Sequence, residues 1–477
     1  MPGPVSFPDH LAPVRDGLEG TSLKHRVVVL GGTGIGPELT AAARRVIDAI
    51  FPSIQWIEVE PQTDGRNGAL DDDIRELIAD AGVALTGPAI TGSKPGVNPL
   101  DDAFDLCVDV RPIRELPSVP SRFSGSGIDF SIVRDRTTDR HAPVEYQQTP
   151  DLTRTLEASS RTDCERVTQF AFDLARATGR ERIVCATRTG TGRMVDRQFK
   201  RAFEKAAEAV PDIVAHHLAA DRCIHKLAST PADIDLMVAS PEVGSVLIEL
   251  ACALIGGSRF VPAALYGPDV VVFQTGRDRM PELAGRDVAN PIAAILAGAM
   301  LVRHLGGLTA ADKIERALMV TLSEARSLTP DIAHSGTGGS STDFVDEIID
   351  NLGAVSDSVS VRPGCGRAVP AGRPARPTRT PRGFAGIDVF VEWSGTGDAL
   401  AGRLSRAIRK LPFDLEGVGG DVGTDHWQCR FRQDGSIGRR GEQRAICALL
   451  EAVSGICPWM HVERLHLFEG RPAFSRI

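Results

Sequence analysis

The 477-residue chain is defined first by what it lacks. It contains no run of about 18 apolar residues, so no transmembrane helix is expected. The opening residues, MPGPVSFPDHLAPVRDG, have no basic start followed by an apolar stretch, so no secretory signal is expected either. The nine cysteines form no CxxC pair. That removes the usual zinc signature and fits a reducing cytoplasm. Basic residues are outnumbered, 54 against 62 acidic, and the net charge of -8 argues against nucleic acid as the main partner. No internal repeat is evident. The hydrophobic content of 42% is ordinary for a soluble chain that buries a core, and the length points to more than one domain.

Strand, glycine turn and helix follow one another repeatedly, which predicts an α/β architecture. Arg26–Leu30 is a β-branched run expected as a buried strand, Gly31–Glu38 a turn, and residues 39–50 an amphipathic helix. Residues 184–187 and 236–239 read as further buried strands. Residues 244–254 and 290–305 read as helices, each stopped by a glycine pair. Residues 1–25 are expected as a flexible arm, 26–355 as the main domain, and 356–383, rich in Pro, Gly and Arg, as an exposed linker. Residues 384–477 fit a small α+β domain.

The turn Gly31-Gly-Thr-Gly-Ile-Gly-Pro-Glu38 invites a nucleotide reading. It is not G-x-G-x-x-G, since Pro37 stands where the last glycine would, and no Walker lysine follows. A phosphate cradle and a plain tight turn both remain open. Glu38 near a helix start needs no role beyond favourable placement on the helix dipole.

Several segments in fixed order resemble the isocitrate and isopropylmalate dehydrogenases. Gly31–Glu38 is similar to G-D-G-I-G-P-E, with Thr33 for the acidic residue. Leu85–Thr91 is similar to K-G-P-L-x-T, and Asp105–Pro112 to D-L-Y-A-N-V-R-P. Val133-Arg134 resembles the start of R-E-N-T-E, Asp287–Pro291 the A-N-P motif, and Ser340–Phe344 a pattern near the end of the main domain. Residues 425–431 and 459–465 resemble the extra C-terminal domain of the longer bacterial isocitrate dehydrogenases. The resemblance implies a three-layer α/β sandwich with a large and a small domain, plus a small α+β C-terminal domain. It also implies a homodimer, and oxidation and decarboxylation of a 2-hydroxy acid with NAD or NADP and Mg or Mn.

The resemblance assigns positions, and the residues there depart from the pattern. Arg188 falls where the family has a catalytic lysine; lysine exchanges its proton when its site shifts the pKa, whereas arginine does not. His141 falls at the family's tyrosine, either as a general acid or as an exposed loop histidine. Of the metal-binding acids, Asp221 persists in the motif that reaches the neighbouring subunit, Glu249 replaces one Asp, and Ser245 replaces the central Asp. That weakens the Mg or Mn site, which needs several oxygen ligands. Glu242 is read either as a substitute ligand or as an acid at a helix start. Asp101 stands where a carboxylate-binding arginine is expected, so repulsion of a tricarboxylate is anticipated. Arg111 and Arg134 persist, as substrate ligands or as partners in structural ion pairs. Thr91, Gly276, Asn290 and Pro291 match positions lining the cofactor groove, with Thr275 replacing a histidine. The expected outcome is a scaffold kept with its chemistry relaxed: a non-catalytic or regulatory homologue pairing with itself or with an active relative. The alternative is an NAD(P)-dependent dehydrogenase with a rebuilt site.

Overall fold

A computed structural model describes residues 24–60, 70–88, 99–137, 144–149, 151–188, 193–276, 279–333, 338–354, 381–421, 425–438 and 440–474. The described residues divide into two compact units, one from 1–142 and 158–375, the other from 143–157 and 376–477. Residues 1–23 of the expected arm, and all but the last residues of the expected linker, lie outside the described residues, while β1 already begins at His25, inside the segment expected as arm.

The first unit begins β1 (His25–Leu30), α1 (Gly36–Asp48), β2 (Ile54–Val59), α2 (Asp72–Ala81), β3 (Val83–Thr86), α3 (Pro99–Phe104), β4 (Val108–Arg114) and β5 (Asp129–Asp135). A hairpin of β6 (Val144–Thr149) and β7 (Leu152–Leu156) belongs to the second unit. The first unit resumes with α4 (Arg161–Ala177), β8 (Arg182–Thr187), α5 (Met194–Glu208), β9 (Val214–Ala219), α6 (Ala220–Ser229), β10 (Leu236–Ala239) and α7 (Pro241–Leu254). It ends with β11 (Ala263–Tyr266), β12 (Val271–Gln274), α8 (Ile292–His304), α9 (Leu308–Glu324) and α10 (Ser341–Asp350).

Ten strands form one sheet in the order β2-β1-β3-β12-β11-β4-β5-β10-β8-β9. The two flanks are parallel, whereas β11 runs antiparallel to both neighbours and β4 runs antiparallel to β5. The strands β1, β3, β10 and β11 are buried almost throughout, as continuous apolar runs in a sheet covered on both faces should be. Helices α1 and α8 pack at Gly298, where a Cβ would lie 2.9 Å from Ile47 Cδ1.

Local signals explain the helix ends. Asp71 accepts from the N–H of Asp73 to cap α2, which stops at Gly82 with φ of 70°. Ser340 and Asp343 form a reciprocal capping box on α10. α1 and α7 each start three residues earlier than periodicity suggests. Each has proline in its first turn, where the missing N–H is not needed.

The second unit adds β13 (Arg382–Glu392), α11 (Gly397–Ala407), β14 (Phe413–Asp421), β15 (His426–Gln433), α12 (Glu442–Ser454), β16 (Trp459–Phe468) and β17 (Arg471–Pro472). Its antiparallel sheet has the order β14-β15-β13-β16-β17, a split β-α-β-β-α-β arrangement. Arg382 already pairs with Phe468, so β13 begins inside the segment expected as linker. Val389, Val391, Trp427, Cys429 and Phe431 join α11 and α12 in an apolar core. Asp388 and Arg430 form a buried bidentate pair, with both principal bonds at 2.7 Å. The hairpin attaches through Arg154, which donates to His426 Nδ1 at 2.8 Å and lies 4.6 Å from the Phe390 ring centroid.

Among the described residues, no helix is long and apolar enough to cross a membrane.

Candidate functional site

The charged centre of the first unit is built on β4 and β5. A strand's period of two puts Asp109 and Arg111 on one face, and the antiparallel register sets Arg134 opposite Asp109. Arg111 donates to Asp109 from Nε at 2.8 Å and from a terminal nitrogen at 3.4 Å. Asp109 is fully buried and Arg111 is 3% exposed. Burial works against the Asp109 charge, but the Arg111, Arg136 and Arg134 guanidiniums outweigh it and hold the carboxyl below the ordinary range.

Arg136, just beyond β5, pairs with Asp101 of α3, and both are buried. The repulsion expected from Asp101 is therefore corrected: its charge is neutralised within the chain by an arginine 35 residues away in sequence. Asp135 has no such arrangement. Burial raises its pKa to about 6 against the hydrogen bonds from Thr137.

Beside this cluster starts α7. Arg134 Nε donates to the Pro241 carbonyl at 3.0 Å, and Gly244 makes room for it: a Cβ there would meet Arg134 Cγ at 2.6 Å. Glu242, in the first turn, binds Arg188 at 2.9 Å, and both side chains are about half exposed. The Arg188 N–H is also held by Asp196 Oδ1 at 3.3 Å. Ser245 turns its hydroxyl back to the Pro241 carbonyl at 3.3 Å, a local helical bond. Glu249 is exposed on the same helix. Asp221 is exposed at the start of α6, its carboxylate accepting the neighbouring Arg222 N–H at 2.8 Å.

Among the described residues, no group of three or more His, Cys, Asp or Glu side chains stands ready to hold a metal.

Of the residues expected at the dinucleotide groove, Gly276 and Asn290 line a pocket whose walls also include Ile35, Leu39, Leu283 and Asp331. Asn290 is fully engaged there. Its oxygen accepts the Ile292 N–H at the start of α8, and its amide donates to both Asp331 oxygens at 3.1 and 3.2 Å. Asp331 also binds Arg259 and Thr329. Pro291 occupies the N-cap of α8.

The glycines of the turn serve close packing. A Cβ on Gly34 would sit 1.9 Å from the Arg279 carbonyl oxygen, and one on Gly36 would sit 2.0 Å from that of Gly31. That favours the tight-turn reading of Gly31–Glu38. Around it, Thr33, Thr86 and Thr275 each hold a buried hydroxyl with no protein partner. An apolar wall, an open glycine and such hydroxyls fit one end of a dinucleotide. Thr91 and His141 lie outside the described residues.

The sequence signals missed Arg136, Asp109 and Asp331. Asp109 was the accessible one: it stands where the pattern D-L-Y-A-N-V-R-P has asparagine, two residues from Arg111 on one strand face.

Residues 26–348 match the family model for isocitrate/isopropylmalate dehydrogenase. The chain belongs to that family. Residues 382–477 match the model for the C-terminal domain of bacterial isocitrate dehydrogenase. The NADP isocitrate dehydrogenase of Thermus thermophilus is 34% identical, covering 94% of this chain and 95% of that protein. A regulatory subunit of the mitochondrial NAD isocitrate dehydrogenase from Dictyostelium discoideum is 29% identical over 69% of this chain and 91% of its own length. Among solved structures, a Thermus thermophilus protein superposes with a TM-score of 0.84 at 32% identity, covering 95% of this chain and 96% of that one. The isocitrate dehydrogenase of Methylococcus capsulatus gives a TM-score of 0.63 at 26% identity, covering 69% of this chain and 99% of that one. The expected family, main fold and C-terminal kinship are thereby borne out.

Proposed function

We propose that this family member is a non-catalytic or regulatory homologue, unable to carry out ordinary oxidative decarboxylation of isocitrate. The observation that carries the reading is the Arg188–Glu242 ion pair at 2.9 Å. The resemblance puts Arg188 at the catalytic lysine. An arginine in an ion pair keeps its proton throughout the working pH range, so it offers no proton exchange to a reacting hydroxyl. The same pair occupies Glu242, the acid that would otherwise serve as a substitute metal ligand.

The inward turn of Ser245, whose hydroxyl is spent on the Pro241 carbonyl, supports a degenerate metal site. The pocket at Gly276 and Asn290 supports NAD or NADP as a ligand, with Thr275 and the apolar wall as its contacts. In a dehydrogenase that group would accept a hydride. The occurrence of a regulatory subunit among the relatives supports the role. The exposed Val214, Ile224 and Val246 on β9, α6 and α7 support assembly with a second copy or an active relative in the cytoplasm.

The test is nicotinamide reduction by the purified chain with NAD or NADP, Mg or Mn, and isocitrate or related 2-hydroxy acids. No turnover is expected, and Arg188→Lys is expected to restore none because the metal group remains incomplete. Turnover by the unaltered chain overturns the reading in favour of a dehydrogenase with a rebuilt site.

A further inference from the structure

We propose that Asp109 and Asp101 are built-in occupants of an anion site. Their carboxylates fill the places beside Arg111 and Arg136 that an external polycarboxylate would take, and so shut such acids out. The inference deepens the proposed function and rests on that reading for Arg111 as a residue of the substrate site.

Three arginines within one small region, Arg111, Arg134 and Arg136, make a strong cationic centre. Arg111 belongs to β4, Arg134 to β5, and Arg136 follows β5 directly. A planar guanidinium offers two parallel N–H bonds, the geometry that recognises a carboxylate. Arg111 spends that fork on Asp109 through two bonds within 3.4 Å. Arg136 is paired with Asp101. All four groups are at least nine-tenths buried, so an incoming acid must displace an internal carboxylate that is already desolvated.

Charge counting gives the same result. Arg111 and Arg136 are each matched by a buried carboxylate, and all three guanidiniums act on Asp109. A tricarboxylate entering beside these pairs gives up its hydration against charges that are already compensated. Asp109 is also aligned by register rather than by chance contact: β4 sets it beside Arg111 and opposite Arg134.

The test is isothermal titration of isocitrate into the full chain, without nucleotide or metal, for the unaltered protein and for Asp109→Asn. Asparagine keeps the shape and removes the charge. The restored fork should tighten isocitrate binding roughly 10- to 100-fold, the worth of one or two charge-assisted hydrogen bonds. Circular dichroism reports whether the variant folds. If it does not, Asp101→Asn, which withdraws the carboxylate beside Arg136, carries the same expectation. A folded variant that binds isocitrate no better than the unaltered protein overturns the proposal. So does an unaltered protein that already binds as tightly as the variant. Turnover is a separate readout: its appearance in the unaltered chain refutes the non-catalytic reading, while the binding comparison decides this inference.

Discussion

Arg430→Met tests how much the buried ion pair of the second unit matters once one partner is removed. Asp388 and Arg430 face each other across β13 and β15, and Gln428 adds a third bond to Asp388 at 2.7 Å. Their side chains are 5% and 3% exposed, so water does not replace a lost guanidinium. The remaining carboxylate would be buried with little more than one amide donor. Breaking a buried pair in this way costs about 3–5 kcal/mol. With a urea dependence of about 1–3 kcal/mol/M, the midpoint should fall by at least roughly 1 M. Tryptophan fluorescence is suited to the measurement. Three of the four tryptophans, Trp393, Trp427 and Trp459, lie in this unit, and Trp427 is buried with its indole N–H on the Trp393 carbonyl. Combining Arg430→Met with Asp388→Leu removes the stranded charge and should recover most of the loss. A single-variant loss below about 1 kcal/mol, the range of solvated surface pairs, would refute the argument. So would a double variant as unstable as the single.

Three further outcomes follow from the first unit. His304 is partly buried beside Tyr266 and Phe273, and desolvation lowers its pKa to about 4. The unfolded chain, with an ordinary value of about 6.5, binds its proton first. Stability is therefore lost as pH falls from about 6.5 toward 4, by on the order of 3 kcal/mol. His304→Phe should remove that slope in urea titrations run at stepped pH, and an unchanged slope would refute the assignment. Gly244→Ala should cost about 1–3 kcal/mol by driving a methyl into Arg134, and Arg134→Ala in the same chain should relieve most of it; additive losses would show that the two do not meet. Arg188→Lys should leave nicotinamide reduction undetected, whereas recovered turnover would show that lysine alone was missing.

Much of the scaffold was legible because its signals are local. The apolar run at Arg26–Leu30, the four-residue strand at 236–239 and the glycine pairs after residues 254 and 305 mark elements that burial and backbone freedom impose directly. Helix starts were less legible. Proline at positions 37 and 241 reads as a breaker in sequence but sits comfortably in a first helical turn. The small C-terminal unit was recognisable from the composition break before it and from its strand and helix runs. The membership of residues 144–156 in that unit was not, because it depends on Arg154 meeting His426 and Phe390 far along the chain.

The site divides in the same way. By itself, the order of residues determined that arginine stands at 188, serine at 245 and aspartate at 101, and so which charges and proton-exchanging groups those positions carry. Only the tertiary structure decided what those residues do instead. Arg188 meets Glu242 across 54 positions, Asp101 meets Arg136 across 35, and Asn290 meets Asp331 across 41. Residue type sets the charge a side chain carries and whether it exchanges a proton, and that is written in sequence. Whether the charge faces a ligand or is cancelled by a neighbour depends on distance and desolvation, which exist only once the sheet has brought β4, β5 and α7 together.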